Sequence, residues 1–306
     1  MNPACASEIV KYLHVSGSPE VDFSRLKVSH DHWKRTLEWL DHSGIALLFW
    51  NRLKVRGDAA AIPSEVAERL ERNLADHRLR LSEMAAEFDS INQCFEGARL
   101  KYAAMKGLAL APDYCPDIAL RTTYDYDYLL PRGSMQAAEE ALRSAGYVWK
   151  RDPEEHPVVY CHAARPPCNP LSRDDLYSKD FPRTVELHYL FWDAAPVKIP
   201  LTLPADPLAD LEIRHVRVLP NHPGPSRPGR PLHFYALSED NDLIFQVLHA
   251  FRHILHGWCR LCSLLDVAYF LEHRRLDAAF WDRFIGRLRD NRPLSEIVGV
   301  VFLLAA

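Results

Sequence analysis

Residues 121–130 read "RTTYDYDYLL". Tyr124, Tyr126 and Tyr128 alternate with Asp125 and Asp127, and two leucines follow. Alternation at period two is the pattern of a β-strand with two unlike faces. Residues i and i+2 of a strand share a face, so both carboxylates point the same way. A strand this rich in Tyr and Leu belongs in a core. Two neighbouring carboxylates in a dry site cannot both stay ionised unless a cation joins them. The stretch therefore predicts a core strand and demands a counter-charge.

The flanking sequence extends that strand into a unit. "LKYAAMKGLAL", 100–110, predicts a short strand running into a turn and a helix. "SMQAAEEALRSAGY", 134–147, predicts a helix opened by Ser134 and closed by Gly146. "TVELHYLF", 184–191, predicts another strand. Strands alternating with helices over so short a span make a compact α/β unit. On its amino side, residues 31–54 have helical spacing in Trp33, Leu37 and Leu40, with Gly44 as a break. Residues 62–98 read as one long helix begun at Pro63 and Ser64 and ended by Gly97. Its apolar stripe is Leu70, Leu74, Leu79, Leu81, Met84, Phe88 and Ile91, and its Glu and Arg residues form a solvated face. On the carboxyl side, 195–232 is rich in proline, with Pro223, Pro225, Pro228 and Pro231 close together, and reads as a connecting segment. Helical patterns resume at Ser238 and end in "LSEIVGVVFLLAA", read as a last, buried helix. The expected class is α+β. The expected organisation is a helical region (1–98), an α/β core (99–200), a connector (201–232) and a second helical region (233–306).

Composition sets the outer bounds. The 306 residues are 48% hydrophobic and 25% charged, an ordinary globular balance. A net charge of −4 argues against extended nucleic-acid binding. Seven scattered cysteines, an odd number, in a chain large enough to bury a core, favour reduced thiols and a cytoplasmic location. The amino terminus lacks the pattern of a secretory signal. The longest apolar run is about half the ~20 residues that a membrane span needs, so no membrane partner is expected.

The counter-charge that suits Asp125 and Asp127 is Mg²⁺, or Mn²⁺ in its place: a hard ion that takes carboxylates, phosphate and water. Glu186, on the later strand "VELHY", would supply a third carboxylate and complete a two-metal clamp for in-line phosphoryl or nucleotidyl transfer. Lys106 and Gly107, at the strand-to-helix turn, would let backbone and ammonium approach phosphate. Arg121 is a further candidate phosphate clamp. Two aspartates at a strand end are most often merely solvated. It is the ordered series K-G, R-x-x-x-D-x-D and a later acid that points to chemistry.

That series resembles the nucleotidyltransferase-like family that reads K-G-x-x-L, then R-x-x-x-D-x-D-x-L-V, then a helix and L-x-x-x-G-Y, within the DNA polymerase β-like nucleotidyltransferase superfamily. "HSGIALLFWNRL" is similar to the family's amino-terminal helical region, "VELHYLF" to its E-L-H-W strand, and "LHAFRHILHGWCRLCSLLDVAYFL" to its H-x-x-x-H-x-x-x-x-W…L-x-D segment. The likeness covers most of residues 35–275. It implies a small mixed β-sheet nucleotidyltransferase core flanked by helical regions. It also implies metal-dependent transfer of a nucleoside monophosphate from an NTP to an acceptor. By the same analogy Asp125 and Asp127 hold the metals and Glu186 is the third carboxylate. The partners would be the NTP and an acceptor the sequence does not name: a small molecule, a protein or an RNA. Two departures stand out. Leu108 follows Gly107 where the wider superfamily has a serine near its phosphate-binding helix, which leaves phosphate to backbone N–H groups, Lys106 and Arg121. Tyr126 and Tyr128 replace smaller residues; they should face away from the carboxylates, with each hydroxyl needing a partner. A non-catalytic protein that keeps the fold and binds nucleotide is the alternative.

Three histidines, His249, His253 and His256, share one helix face. A zinc hydrolase would want H-E-x-x-H, and the stretch reads H-A-F-R-H, so His249 and His253 are assigned to the core or, with His188, to the lining of the cleft. Asp266 is expected to pair with Arg260 or a histidine. Cys259 and Cys262 form a lone C-x-x-C. With no second pair, and with Cys161, His162 and Cys168 far away in sequence, buried thiols are the expected role.

Overall fold

The computed structural model describes residues 3–15, 21–22, 26, 29–150, 156–164, 176–192, 199–203, 206–216, 231–257 and 260–306. Cys168, Cys259, Pro223, Pro225 and Pro228 lie outside the described residues.

Helix α1 (Pro3–Tyr12) precedes α2 (His30–Ser43) and α3 (Ala46–Arg56), which are separated by Gly44 in the left-handed conformation. The 34-residue α4 (Ser64–Gly97) follows. At about 1.5 Å per residue it is long enough to serve two cores. Val66, Leu70 and Leu74 pack with α1, α2 and α3. Leu81, Met84, Phe88, Ile91 and Phe95 pack against the sheet. The expected stripe is correct except at Leu79, which is 54% exposed on the outer face. The polar face has its own exception, because His77 and Arg80 are fully buried.

Strands β1 (Ala103–Met105), β2 (Asp125–Leu129), β3 (Tyr147–Trp149), β4 (Val158–His162), β5 (Thr184–His188), β6 (Leu211–Val216) and β7 (Leu232–Leu237) form one mixed sheet in the order β3-β4-β5-β2-β1-β7-β6. Helix α5 (Met135–Ser144) lies between β2 and β3 in the chain. Helices α6 (Glu239–Leu255), α7 (Leu261–His273), α8 (Ala278–Leu288) and α9 (Arg292–Ala305) complete the chain. The α+β class, a mixed sheet between helical regions, is as expected. No helix among the described residues is long and apolar enough to cross a membrane.

Three local readings are corrected. Leu211–Val216, inside the stretch read as a connector, is an edge strand of the sheet. Its "LEIRHV" mixes charge with apolar residues because one face is exposed, Ile213 being 58% accessible. The helix expected after β1 is a four-residue 3₁₀ turn, Gly107–Leu110. The last helix, α9, buries only Leu294, Ile297, Val298 and Val301; Leu303, on its other side, is 82% exposed.

Strand β2 sits near the middle of the sheet, antiparallel to β1 and parallel to β5. Its tyrosine face packs on α4: Phe88 lies 5.9 Å from Tyr128 and 6.2 Å from Tyr126, centroid to centroid. The Tyr126 hydroxyl donates to the Glu87 carboxylate at 3.0 Å. The Tyr128 hydroxyl is buried and, among the described residues, has no partner. Aromatic packing therefore holds the tyrosine face and leaves the aspartate face to the cleft.

Candidate functional site

The parallel register of β2 and β5 sets Asp127 beside Glu186 and Asp125 beside Thr184. Pleating puts Asp125, Asp127, Glu186 and His188 on one face. The antiparallel register of β1 and β2 sets Met105 beside Asp127, so Lys106, the next residue, reaches the same carboxylates. Its ammonium lies 2.5 Å from Asp127 Oδ1. His188 Nε2 lies 2.9 Å from that oxygen and 3.8 Å from Glu186 Oε2. The counter-charge demanded by the aspartates is thus supplied within the chain by Lys106.

The electrostatics follow from this packing. Burial, and then the adjacent Asp127 charge, push the Asp125 carboxyl above its ordinary value. Burial acts the same way on Asp127, but Lys106 and His188 outweigh it and hold that carboxyl below the ordinary range. Burial opposes the charge on Lys106, yet Asp127, Asp125 and Glu186 together raise it. Two adjacent carboxylates pushed apart in this way, in a cleft, mark a candidate functional site.

The turn that aims Lys106 is unusual. Its φ is +53° with ψ −166°, a region costly for a residue with a side chain. Gly107 follows at φ +46°, and a Cβ there would stand 3.0 Å from Thr123 Cγ2. Glycine lets the turn close on the segment entering β2. Because only a 3₁₀ turn follows, the expected helix dipole is not available to grip phosphate.

Asp127, Glu186 and His188 each offer an atom within 4.8 Å of the others, and among the described residues they are the one His/Cys/Asp/Glu group so arranged. Asp125 stands outside that trio, at the first residue of its strand. Asp127 Oδ2 is buried with no hydrogen-bond partner among the described residues. An orphaned carboxylate oxygen beside a second carboxylate suits a hard divalent cation, with His188 as an added nitrogen donor. His188 was expected only to line the cleft; the signal for more is its i, i+2 spacing from Glu186, which repeats that of the aspartates.

A cavity of about 420 Å³ opens over these groups. Lys106, Gly107, Arg121, Asp125, Glu186, His188, His249 and His253 all border it, and Asp127 lies beneath. The α6 histidines contact each other, Nε2 to Nε2, at 3.1 Å. Burial, then the Lys106 charge, lower both, His253 to about 4 and His249 well below its ordinary value. Both are therefore neutral near pH 7. Arg121 borders the cavity and also pairs with a carboxylate: its Nε donates to Asp266 Oδ2 at 2.8 Å, both side chains being nearly buried. That ion pair ties the segment entering β2 to α7, and it gives Asp266 a different partner from the Arg260 or histidine expected. Arg252, Arg260, Phe191 and Trp192 also border the cavity; none of them was singled out in the sequence as a cleft residue.

No curated protein and no solved structure matches the chain. A family described as "Uncharacterised nucleotidyltransferase" matches residues 29–306, spanning the sheet, the cleft and the helices on both sides. With nine-tenths of its length covered by that match and the K-G, D-x-D and E-L-H residues gathered at one cleft, the chain belongs to this uncharacterised nucleotidyltransferase family.

Proposed function

We propose that the cleft transfers a nucleoside monophosphate from an NTP to an acceptor, with Mg²⁺ or Mn²⁺ held by Asp125, Asp127 and Glu186. The single observation that carries this reading is the Asp127–Glu186–His188 trio, with Asp127 and His188 buried and an orphaned Asp127 oxygen, in a chain of nucleotidyltransferase kinship. When bound, such ions neutralise phosphate charge and polarise the attacking and leaving oxygens. The carboxylates would hold them. Lys106 adds a positive charge at the same carboxylates, and Gly107 opens the turn for phosphate. His249 and His253, neutral on the opposite wall, offer hydrogen bonds to the acceptor without adding charge. The acceptor presents a hydroxyl, phosphate or amine in the cavity between the sheet and α6.

The rival reading, a nucleotide binder without turnover, is favoured by one observation: Lys106 already neutralises Asp127 at 2.5 Å. Incubation with each labelled NTP and Mg²⁺, alone and with cell lysate, followed by mass analysis, separates the two. Transfer predicts one labelled acceptor and stoichiometric pyrophosphate. Mg-NTP binding with no pyrophosphate from any acceptor pool would replace the enzyme by the binder.

A further inference from the structure

Two of the cations at the cleft are already committed, Lys106 to Asp127 and Arg121 to Asp266. Two others are not. Arg260, between α6 and α7, borders the same cavity as Asp125 and Glu186. Its guanidinium carbon lies 5.6 Å from the centroid of the Tyr124 ring, and that of Arg80 lies 4.8 Å from the same centroid. Among the described residues neither arginine forms an ion pair with a carboxylate. Arg80 is fully buried and donates from one Nη to the Leu176 carbonyl at 2.7 Å, while its Nε and second Nη find no partner among the described residues. Arg260 Nε is likewise buried and unpartnered there.

Guanidinium groups taken out of water are costly unless something compensates them. The face of Tyr124 offsets part of that cost. Asp125 and Asp266 both feel the Arg260 charge, but each answers more strongly to another cation, Lys106 and Arg121 respectively. What remains is an excess of positive charge at one part of the cleft, carried by a side chain whose planar fork matches phosphate oxygens in pairs. The turn at Gly44 holds Arg260 from another side: a Cβ there would lie 3.4 Å from an Arg260 Nη and 2.8 Å from Cys262 Sγ.

We propose that Arg260, seated on Tyr124 with Arg80 at the same ring, is a phosphate-binding subsite separate from Lys106. The proposal deepens the nucleotidyl-transfer reading and rests on it only for which phosphate is taken: the terminal phosphates of the NTP, or a phosphate carried by the acceptor.

Pyrophosphate titrated calorimetrically into the full chain in EDTA tests the oxyanion chemistry without metal or turnover. Wild type is expected to bind it, and Arg260→Gln to bind at least about tenfold more weakly while melting normally. Arg260→Lys, which keeps the charge and loses the fork, should fall between them, and it serves as the second variant if the glutamine form does not fold. Mg-ATP titrations then separate the sources. A matching loss of Mg-ATP affinity assigns the subsite to the nucleotide. Unchanged Mg-ATP affinity, with Arg260-dependent binding of inorganic phosphate to the Mg-ATP-saturated protein, assigns it to the acceptor. Equal pyrophosphate binding by wild type and the folded variants, or none by wild type, overturns the proposal. Failure of nucleotidyl transfer alone leaves these titrations unaffected.

Discussion

Lys106→Met tests whether Lys106 is the internal counter-ion of the carboxylate cluster. Lys106 and Asp127 side chains are 14% and 1% exposed, with the ammonium 2.5 Å from Oδ1. At that distance and an effective dielectric of about 20, the gross attraction is roughly 6–7 kcal/mol, much of it cancelled by desolvation. Methionine keeps the length of the side chain and removes the charge, leaving Asp125, Asp127 and Glu186 to repel one another. Breaking a buried pair from one side typically costs about 3–5 kcal/mol. For a chain of this size that is a melting temperature lower by roughly 6–15 °C in EDTA. The deficit should narrow as pH falls, because Asp125, already raised by burial and by Asp127, takes up a proton before an ordinary carboxylate would and relieves the repulsion. Mg²⁺ should stabilise the variant more than the wild type, since a ligand raises stability in proportion to its affinity for the folded state and the variant has lost a competing cation. Melting curves in EDTA and in millimolar Mg²⁺, at two pH values, measure all three effects. A variant that melts within about 1 °C of wild type in EDTA would refute the counter-ion assignment.

The remaining predictions concern the frame around the cleft. Arg121→Gln should destabilise the chain by about 3 kcal/mol, and a double-mutant cycle with Asp266→Asn should show strong coupling, because the pair is nearly buried; additive losses in urea melts would separate the two residues. Tyr128→Phe should be neutral or stabilising by up to about 1 kcal/mol, since it deletes a buried hydroxyl with no partner among the described residues; a clear loss in denaturant midpoint would reveal a hidden hydrogen bond. His77 is held near pKa 3 by burial and then by Arg80, against about 6.5 in an unfolded chain. The unfolded state therefore takes up the proton first, so His77's contribution is complete above about pH 6.5 and is lost as pH falls towards 3, at up to about 1.4 kcal/mol per unit. Compared with His77→Gln, whose amide can still reach the Arg121 carbonyl that His77 bonds at 3.0 Å, wild type should lose more stability between pH 7 and 4; parallel melting-versus-pH curves would contradict this.

Much of the architecture was legible in short-range pattern. Alternation in "TYDYDYLL" was enough to separate a tyrosine face from an aspartate face, and helical spacing located α2, α3 and most of α4. These signals survive because periodicities of 2 and 3.6 residues are local geometry, present in any fold that buries one side of an element. The weak points were short or half-buried elements. Strands β3 and β4 were not anticipated, nor was β7 at the start of the region read as helical (233–306), and β6 was read as part of a connector, because short strands and exposed edges carry too few alternations to show. The turn at Gly107 was read as a helix start for a similar reason: four residues look alike in either form.

The candidate site divides along the same line. That Asp125 and Asp127 share a face, and that Glu186 belongs with them, could be argued from spacing and family likeness. Which atoms meet could not. Lys106 reaches Asp127 because β1 runs antiparallel beside β2. Glu186 and His188 arrive because β5 runs parallel on the other side, in a register that pairs Asp127 with Glu186. Arg121, 145 positions from Asp266, is drawn into the helical wall, while Arg260 rests on Tyr124 and forms no ion pair among the described residues. Ion pairing between distant residues depends on strand order and register, and these are set by how whole faces bury against each other. The sequence by itself determined which side chains could carry charge into the cleft; only the tertiary structure decided which charges cancel and which remain for a ligand.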